Sequence, residues 1–504
     1  MDFFIKLAAK LINIAGVTVS VIGGAGSVMI LILGSTLSFS AQADSDINQY
    51  LTNMMSVIKS PYSQVGVVAF DLASDTSIFE YNANSLMIPA STQKLLTAVA
   101  ATAQLDENLT FDTRLYSRSP IRHGKLLGDL YLQFSGDPTL TSDDLRQLFK
   151  QLSNLGIYDI TGDLYLVSQA DEQFKAPGVV WDDLGICYAA PVSRFVINQN
   201  CIQGQLIPML ATNEAKLSFP SYLPVKITTT AYFDKNKQQE FCELSLQRLA
   251  KNQFHISGCV SGDKPLKLAI AISEPDLYAQ QLVAQLTTSA KIRVKGKVKL
   301  THTLDKSAKL IAEHRSRPLS SLIETMLLKS DNLIADRLFK AIGESVYDQP
   351  GSFTNGAKAM VRILTDAGVD LTHSQIVDGS GLSRYNLLSA SQLMQVLHLV
   401  YQEPHFAHLI GKLPVAGQSG TLRYKSGYNK APLKDKVIAK TGSMQGVDNL
   451  AGFLTIDSEH QVLFAILENG QSPQTEQAQL APFSALFLQT LLDFSRSFQQ
   501  TASP

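Results

Sequence analysis

The sequence PASTQK, residues 89–94, places a serine and a lysine three positions apart, just before an apolar pattern with helical spacing. Residues three apart share one face of a helix, so the ammonium of Lys94 can approach the hydroxyl of Ser91. A desolvated lysine has a lowered pKa and could take the serine proton as a general base. The alternative is a serine N-cap followed by a solvated lysine, and this pair alone does not decide between the two.

Two further strings could complete the same site. SDN at 330–332 lies between two apolar helical stripes, where Ser330 could relay a proton and Asn332 could bond a substrate amide. KTG at 440–442 ends a strand pattern, and Lys440 and Thr441 suit a substrate carboxylate. Gly442 would let a ligand backbone approach closely. Each string alone is explained as well by a helix cap or a turn, and their order along the chain favours a shared site.

Composition excludes several classes of function. The chain has 504 residues, 45% of them hydrophobic and 17% charged, which suits a folded protein of two or more domains. The net charge is −1, so electrostatics gives no reason to expect nucleic acid as a partner. Neither His-x-x-x-His nor Cys-x-x-Cys spacing occurs, and we expect no metal and no cofactor.

The N-terminus has the pattern of an export signal. Lys6 and Lys10 precede an uncharged run from 11 to 43 that ends in Ala-Gln-Ala. A basic start, an apolar middle and a small-x-small end predict a signal peptide over 1–43, cleaved after Ala43. The run is also long enough to span a bilayer, so an uncleaved anchor with membrane association of the protein is the alternative. Either outcome puts the folded part outside the cytoplasm.

The cysteines agree with export. Cys187, Cys201, Cys242 and Cys259 are even in number and clustered, which suggests two disulfides. Sequential pairing would close the shortest loops. The two other connectivities and four free thiols remain open alternatives.

Strand patterns occur near both ends of the chain, with helical patterns between them, which predicts an α+β fold whose sheet is built from both termini. From about 114 to 266 strand patterns dominate, and GDLYL recurs at 128–132 and 162–166 around a helical pattern. This block reads as an inserted β-rich domain, with strand–helix–strand units and a further subdomain near 175–250. The expected main domain, which holds the three strings, is then 44–113 together with 267–504.

The strings also carry a resemblance to a known family. PASTQK, KSDN at 329–332, DGSGLSR at 378–384 and AKTGS at 439–443 occur in this order, with GDPTL at 136–140 and GVDNLAG at 446–452. From about Asn48 onward the chain resembles the low-molecular-mass, class C penicillin-binding proteins of the D-alanyl-D-alanine carboxypeptidase/endopeptidase type. The resemblance implies a penicillin-binding/β-lactamase-like transpeptidase fold, an antiparallel sheet flanked by helices, and a periplasmic location.

The resemblance also implies roles for individual residues. Ser91 would be the acylated nucleophile, Lys94 its base, and Ser330 the proton shuttle to the departing D-alanine. The N–H groups of Ser91 and Ser443 would form an oxyanion hole. The implied substrate-binding residues are Asn332, Lys440, Thr441, Gly442 and Ser443. The expected partners are peptidoglycan stem peptides and β-lactams.

The inserted domain of such proteins lends an acidic and an aromatic residue to the cleft, facing the diaminopimelate side chain. WDD at 181–183, followed by CY at 187–188, resembles that segment. We therefore expect Asp183 and Tyr188 to contribute to substrate binding. The alternative is an acidic turn on the surface.

The distance between the first and second motifs distinguishes this family from class A β-lactamases. Ser330 follows Lys94 by 236 positions, whereas class A β-lactamases bring their second motif much sooner and use a Glu-activated water. A β-lactamase or esterase with the same serine and lysine remains the enzymatic alternative. A catalytically silent wall-assembly protein is the other, although the intact motif residues Ser91, Lys94, Ser330 and Lys440 speak against it.

Overall fold

The computed structural model describes residues 37–168, 173–236, 241–458, 460–472 and 481–502. Most of the predicted signal segment lies outside these ranges, and its predicted cleavage point falls within helix α1, Leu37–Ile58. Among the described residues, no helix combines the length and apolarity needed to cross a membrane. The same ranges contain no group of three or more His, Cys, Asp or Glu side chains that could hold a metal ion.

The first part of the chain forms a hairpin and a helix. After α1 come strands β1, Gln64–Asp71, and β2, Thr76–Tyr81, and then helix α2, Lys94–Gln104. The next elements are mostly strands: β3 Asp112–Ser117, β4 Ile121–Arg122, β5 Lys125–Leu126, β6 Leu130–Phe134, α3 Ser142–Asn154, β7 Asp159–Ile160 and β8 Leu164–Val167.

Strands continue through the middle of the chain. They are β9 Cys201–Met209, β10 Glu214–Ser218, β11 Lys226–Thr229, β12 Tyr232–Phe233, β13 Leu244–Leu249, β14 Gln253–Val260 and β15 Leu266–Ala271. Helix α4, Pro275–Ser289, is followed by β16 Arg293–Val294, β17 Val298–Thr301 and β18 Lys309–Arg315.

The last part of the chain is helical and then returns to strands. The helices are α5 Leu319–Lys329, α6 Asn332–Tyr347, α7 Phe353–Asp366, α8 Ala390–Gln402 and α9 Pro404–Ala407. Three strands and a helix follow: β19 Val437–Met444, β20 Val447–Thr455, β21 Gln461–Asn469 and α10 Phe483–Ala502.

The strands at the two ends of the chain form one sheet, as the sequence predicted. Its order is β19-β20-β21-β1-β2, and each pair in it is antiparallel. Apolar residues of α2 and of α5–α8 form one core together with residues on one face of this sheet, among them Leu96, Ile334 and Leu397. Residues of α1 and α10, including Leu51 and Leu488, pack on the other face. The sheet is thus covered by helices on both sides, which buries nearly continuous apolar runs in its central strands.

The recurring GDLYL strings mark a repeated unit, as the sequence suggested. Strands β6 and β8 pair in parallel around helix α3, and β17 joins β8 in parallel after helix α4, which adds a unit with weaker sequence similarity. Asp129 Oδ1 accepts a hydrogen bond from the N–H of Asp163 at 2.8 Å, and Asp163 Oδ1 accepts one from the N–H of Lys297 at 2.8 Å. The aspartate of each unit therefore fixes the start of the next unit.

Strand pairing continues beyond 266, where we expected the insertion to end. Strand β17 pairs with β8, β18 pairs with β3, and Leu282 of α4 is buried in the same core as Leu148 of α3. These contacts attach the chain to the insertion as far as Arg315. The apolar stripe of α4 predicts a helix but does not specify which core the helix covers, so the sequence could not fix this boundary.

Two disulfides connect the strand-rich part of the insertion. Cys187 is bonded to Cys201, and Cys242 is bonded to Cys259. This is the sequential pairing that the sequence had left open. The first bridge ties the segment before Tyr188 to strand β9.

Candidate active site

The nucleophile candidate lies in a short 3₁₀ turn, Ala90–Gln93, that leads directly into α2. The turn begins with Ala90 at a φ of 46°, in the left-handed region that non-glycine residues rarely adopt. Ser91 is partly accessible, and Lys94 is fully buried one turn later. Lys94 Nζ lies 2.9 Å from Ser91 Oγ, so the two groups meet as their spacing predicted.

Lys94 is held by groups from distant parts of the chain. Its Nζ donates to Asn332 Oδ1 at 2.7 Å and to the carbonyl oxygen of Ser380 at 2.6 Å. Burial lowers the pKa of Lys94 from its ordinary value to about 8, against the opposing attraction of Asp336 and other carboxylates. A neutral amine beside Ser91 Oγ is therefore available near pH 8, as a general base requires.

The loop after Asp378 supports this lysine. Buried Asp336 accepts hydrogen bonds from the N–H groups of Gly379 at 3.0 Å and Ser380 at 2.8 Å. A Cβ on Gly381, whose φ is 78°, would collide with the carbonyl oxygen of Ala90. Burial raises the pKa of both Asp336 and Asp378. The DGSG string thus packs against the turn that carries Ser91 and presents the carbonyl oxygen of Ser380 to Lys94.

The second and third strings meet in the cleft. Ser330 lies at the junction of α5 and α6 with a φ of 56°, and Asp331 caps α6 by accepting from the N–H of Ile334 at 2.9 Å. Lys440 Nζ, fully buried on β19, donates to Ser330 Oγ at 2.9 Å. Burial and the nearby Lys94 lower the pKa of Lys440 well below its ordinary value. The left-handed turn therefore aims the Ser330 hydroxyl at the third string.

Strand β19 forms one wall of the cleft. Thr441 Oγ1 lies 2.8 Å from Thr421 Oγ1, and Ser443 Oγ donates to Asp448 Oδ1 at 3.0 Å. The approach of a ligand backbone at Gly442 stays a prediction, and on the side where a Cβ would point the glycine contacts the turn that carries Ser91. A Cβ there would lie 2.7 Å from the carbonyl oxygen of Pro89. The glycine is needed because two backbone segments touch at this point.

The insertion reaches the same cleft through Asp183 and Tyr188. The hydroxyl of Tyr188 donates to Asp183 Oδ1, and burial together with this bond raises the pKa of Tyr188. Asn332 Nδ2 donates to the carbonyl oxygen of Tyr188 at 2.8 Å. The Asn332 amide therefore links Lys94 to the insertion. Hydrogen bonds thus connect Ser91, Lys94 and Asn332 to the backbone of Tyr188, and Asp183 is connected to them through the Tyr188 hydroxyl.

Comparison with known proteins agrees with this geometry. Residues 49–488 match the family model of the D-Ala-D-Ala carboxypeptidase 3 (S13) peptidases. The chain belongs to this family. The S13 assignment makes the chain a serine-type D-Ala-D-Ala peptidase, and hence a hydrolase.

Relatives within the S13 family cover most of the chain. The D-alanyl-D-alanine carboxypeptidase DacB of Haemophilus influenzae is 35% identical over 84% of this chain and 89% of its own length. The D-alanyl-D-alanine carboxypeptidase of Actinomadura is 28% identical over 81% of this chain and 78% of its own. The crystal structure of penicillin-binding protein 4 from Haemophilus influenzae superposes with a TM-score of 0.80 at 33% identity, covering 91% of this chain and 98% of that one. The expected penicillin-binding fold is confirmed.

The sequence did not predict the buried polar side chains that hydrogen-bond the backbone around this site. Asp336 lies in the apolar stripe of α6 and was not singled out, although an aspartate in a buried helical face is a usable signal. Asn449 and Asn469, both buried, bind the backbone just before Ser91. Asn449 Nδ2 donates to the carbonyl oxygens of Ile88 and Pro89, each at 2.9 Å, and Asn469 Oδ1 accepts from the N–H of Ile88 at 2.8 Å.

Proposed function

We propose that Ser91 attacks the peptide bond between two D-alanines of a cell-wall stem peptide and forms an acyl-enzyme. Lys94 takes the Ser91 proton while Oγ bonds to the carbonyl carbon, and the C–N bond then breaks. Ser330 passes a proton to the departing amine, and D-alanine leaves. Water next hydrolyses the ester and restores the Ser91 hydroxyl. The observation that carries this proposal is the 2.9 Å contact between Ser91 Oγ and a buried lysine with a lowered pKa.

The same proposal assigns the binding groups. Lys440 and Thr441 receive the terminal carboxylate, whose negative charge restores the charge that burial removes from Lys440. Asn332 bonds the penultimate peptide amide in exchange for part of its present contacts. The N–H groups of Ser91 and Ser443 stabilise the oxyanion, which is supported by the close approach of β19 to the nucleophile turn at Gly442.

The insertion supports action on crosslinked peptides as well. If the leaving amine belongs to the diaminopimelate of a neighbouring stem, the same acyl transfer cuts a crosslink. Asp183 and Tyr188 would face the diaminopimelate side chain, since their hydrogen-bonded pair stands beside Asn332 on the insertion side of the cleft. We propose that the chain has both carboxypeptidase and endopeptidase activity.

Labelling with a fluorescent penicillin tests the nucleophile. We expect one covalent adduct, located on Ser91 by peptide mass analysis and absent in Ser91→Ala. Failure of the folded wild type to label would refute the proposal. Rapid release of the label would instead favour the β-lactamase alternative, which needs an efficient water activator for the acyl-enzyme.

Incubation with crosslinked muropeptides tests the two activities separately. Loss of D-alanine from monomers reports carboxypeptidase action, and splitting of dimers reports endopeptidase action. We expect both products, and we expect Asp183→Ala to slow both on diaminopimelate peptides more than on lysine-acetylated analogues. Equal rates of Asp183→Ala and wild type on all substrates would refute the role of Asp183.

We also propose that the protein is exported to the periplasm. The basic and apolar N-terminal segment supports this location, and so do the two disulfides, which persist in oxidising compartments. N-terminal sequencing of the protein from the native host distinguishes cleavage after Ala43 from a retained anchor.

A further inference from the structure

A groove of about 760 Å³ separates the insertion from helix α5. On one side it is lined by Thr139, Asn198, Gln203 and Tyr222 of the insertion, and on the other by Leu322 and Lys329 of α5. We call this cavity the interdomain groove. None of the residues assigned above to the catalytic cleft lines it.

The interdomain groove and the catalytic cleft share a wall. Lys329 in the groove directly precedes Ser330, whose hydroxyl points to Lys440 in the cleft. Gln199, which lines the groove, donates from Nε2 to Asp331 Oδ2 at 3.0 Å. The SDN loop therefore has its catalytic groups on one side and the groove on the other.

The groove is predominantly cationic. His314, Arg315, Arg317 and Lys329 line it, against one lining carboxylate, Asp144. Asp144 Oδ2 is already engaged by the N–H and hydroxyl of Thr141. Arg315 pairs with Glu313, whereas Arg317 and Lys329 are exposed and make no ion pair within the part of the chain that the structure describes. These two side chains are available to an anionic ligand.

The GDPTL string supports one of these side chains, His314, from beneath. Its Asp137 is buried, and Oδ1 accepts from the N–H of Thr139 at 2.8 Å. The other oxygen, Oδ2, lies 3.6 Å from His314 Nε2 and has no hydrogen-bond partner among the described residues. The Asp137 carboxylate raises the pKa of His314. Asp137 thus favours an imidazolium at the groove wall, with its own charge buried behind the ring, whereas among the described residues Arg317 and Lys329 carry the unpaired positive charge of the groove.

We propose that the interdomain groove binds a second, acidic stem peptide of the same wall polymer while the first occupies the catalytic cleft. This inference rests on the proposed function, because it takes a polymer with repeated carboxylate-bearing peptides as substrate. The cations Arg317, Lys329 and His314 pair with the peptide carboxylates, and the exposed ring of Tyr222 covers its apolar atoms. Because two linked peptides then bind together, the polymer is held more tightly than a single peptide.

Kinetics on two substrates tests the groove. Arg317→Ala combined with His314→Gln removes two of the cations, and Lys264→Ala removes an exposed lysine of the insertion outside the groove as the matched control. For crosslinked muropeptide dimers, we expect the double variant to raise KM about fivefold, the size of effect that partly exposed ion pairs produce. On a diacylated lysyl-D-alanyl-D-alanine tripeptide, and in penicillin acylation, it should stay within twofold of wild type.

A binding measurement gives a second readout. Protein whose Ser91 is blocked by penicillin should still bind a stem tripeptide that lacks D-alanine, and the double variant should bind it at least fivefold more weakly. An unchanged KM for dimers, or loss of tripeptide binding on acylation, would overturn the proposal. So would an equal loss on both substrates, since the groove would then act only through the catalytic site. If the wild type fails to react with penicillin, it is the proposed function that fails.

Discussion

Replacing Gly442 by alanine should slow acylation because it separates two backbone segments of the active site. The added Cβ would lie 2.7 Å from the carbonyl oxygen of Pro89 and 3.0 Å from the amide nitrogen of Thr92. Since both atoms belong to the backbone, no side-chain rotation can relieve the contact. Restoring an ordinary separation of about 3.4 Å requires the turn and β19 to move apart by roughly 0.7 Å. A misplacement of that order costs about 30- to 100-fold in rate.

The assay is the second-order rate of labelling by a fluorescent penicillin, with Tm measured on the same samples. Some loss of stability, about 1–3 kcal/mol, is expected from overpacking, so rates are compared well below the transition. Gly411→Ala is the matched control, because a Cβ at Gly411 meets nothing within 4 Å. Folded Gly442→Ala that acylates within threefold of wild type would refute the reasoning, and so would an equal slowing in Gly411→Ala.

Three further predictions follow from buried polar groups. Acylation needs the neutral form of Lys94, whose pKa is about 8. The acylation rate should therefore rise tenfold per pH unit below pH 8 and level off above it. A flat pH–rate profile from 6 to 9 would contradict this. Asn449→Ala removes two hydrogen bonds of 2.9 Å to the backbone just before Ser91. We expect this variant to acylate about tenfold more slowly than wild type. A drop in Tm with an unchanged acylation rate would mean that Asn449 contributes to stability alone. Burial raises the pKa of Glu468 from its ordinary value of 4.5 to about 7, so stability is lost as the pH rises from about 4.5 to 7. Glu468→Gln should unfold at the same Tm as wild type at pH 4.5 and be more stable at pH 8, by on the order of 3 kcal/mol. Equal Tm values at pH 8 would contradict this.

The sequence predicted the local contact in the Ser91 site but not the contacts made by Asp336. The contact between Ser91 and Lys94 follows from a spacing of three residues, because a helical turn is local and brings such pairs together. Asp336, by contrast, bonds Gly379 and Ser380, which lie more than forty positions away. Nothing local to Asp336 predicts that neighbour, since the contact arises only when α6 packs against the DGSG loop.

The extent of the insertion shows the same limit. Hydrophobic periodicity predicted helix α4 and the strands near the two ends of the chain, because periodicity reports which face of an element is buried. It does not report what covers that face, and α4 belongs to the core of the insertion.

By itself, the sequence determined the motif strings, their order, the mixed fold and the local Ser–Lys pair, because each depends on residue type and short spacing. Only the tertiary structure decided which distant groups meet. It brought Lys440 to Ser330, set the backbone of Pro89 against Gly442, and placed the insertion beside Asn332. Those contacts depend on how separate elements pack and on the space left between them, and such information is distributed over the whole chain.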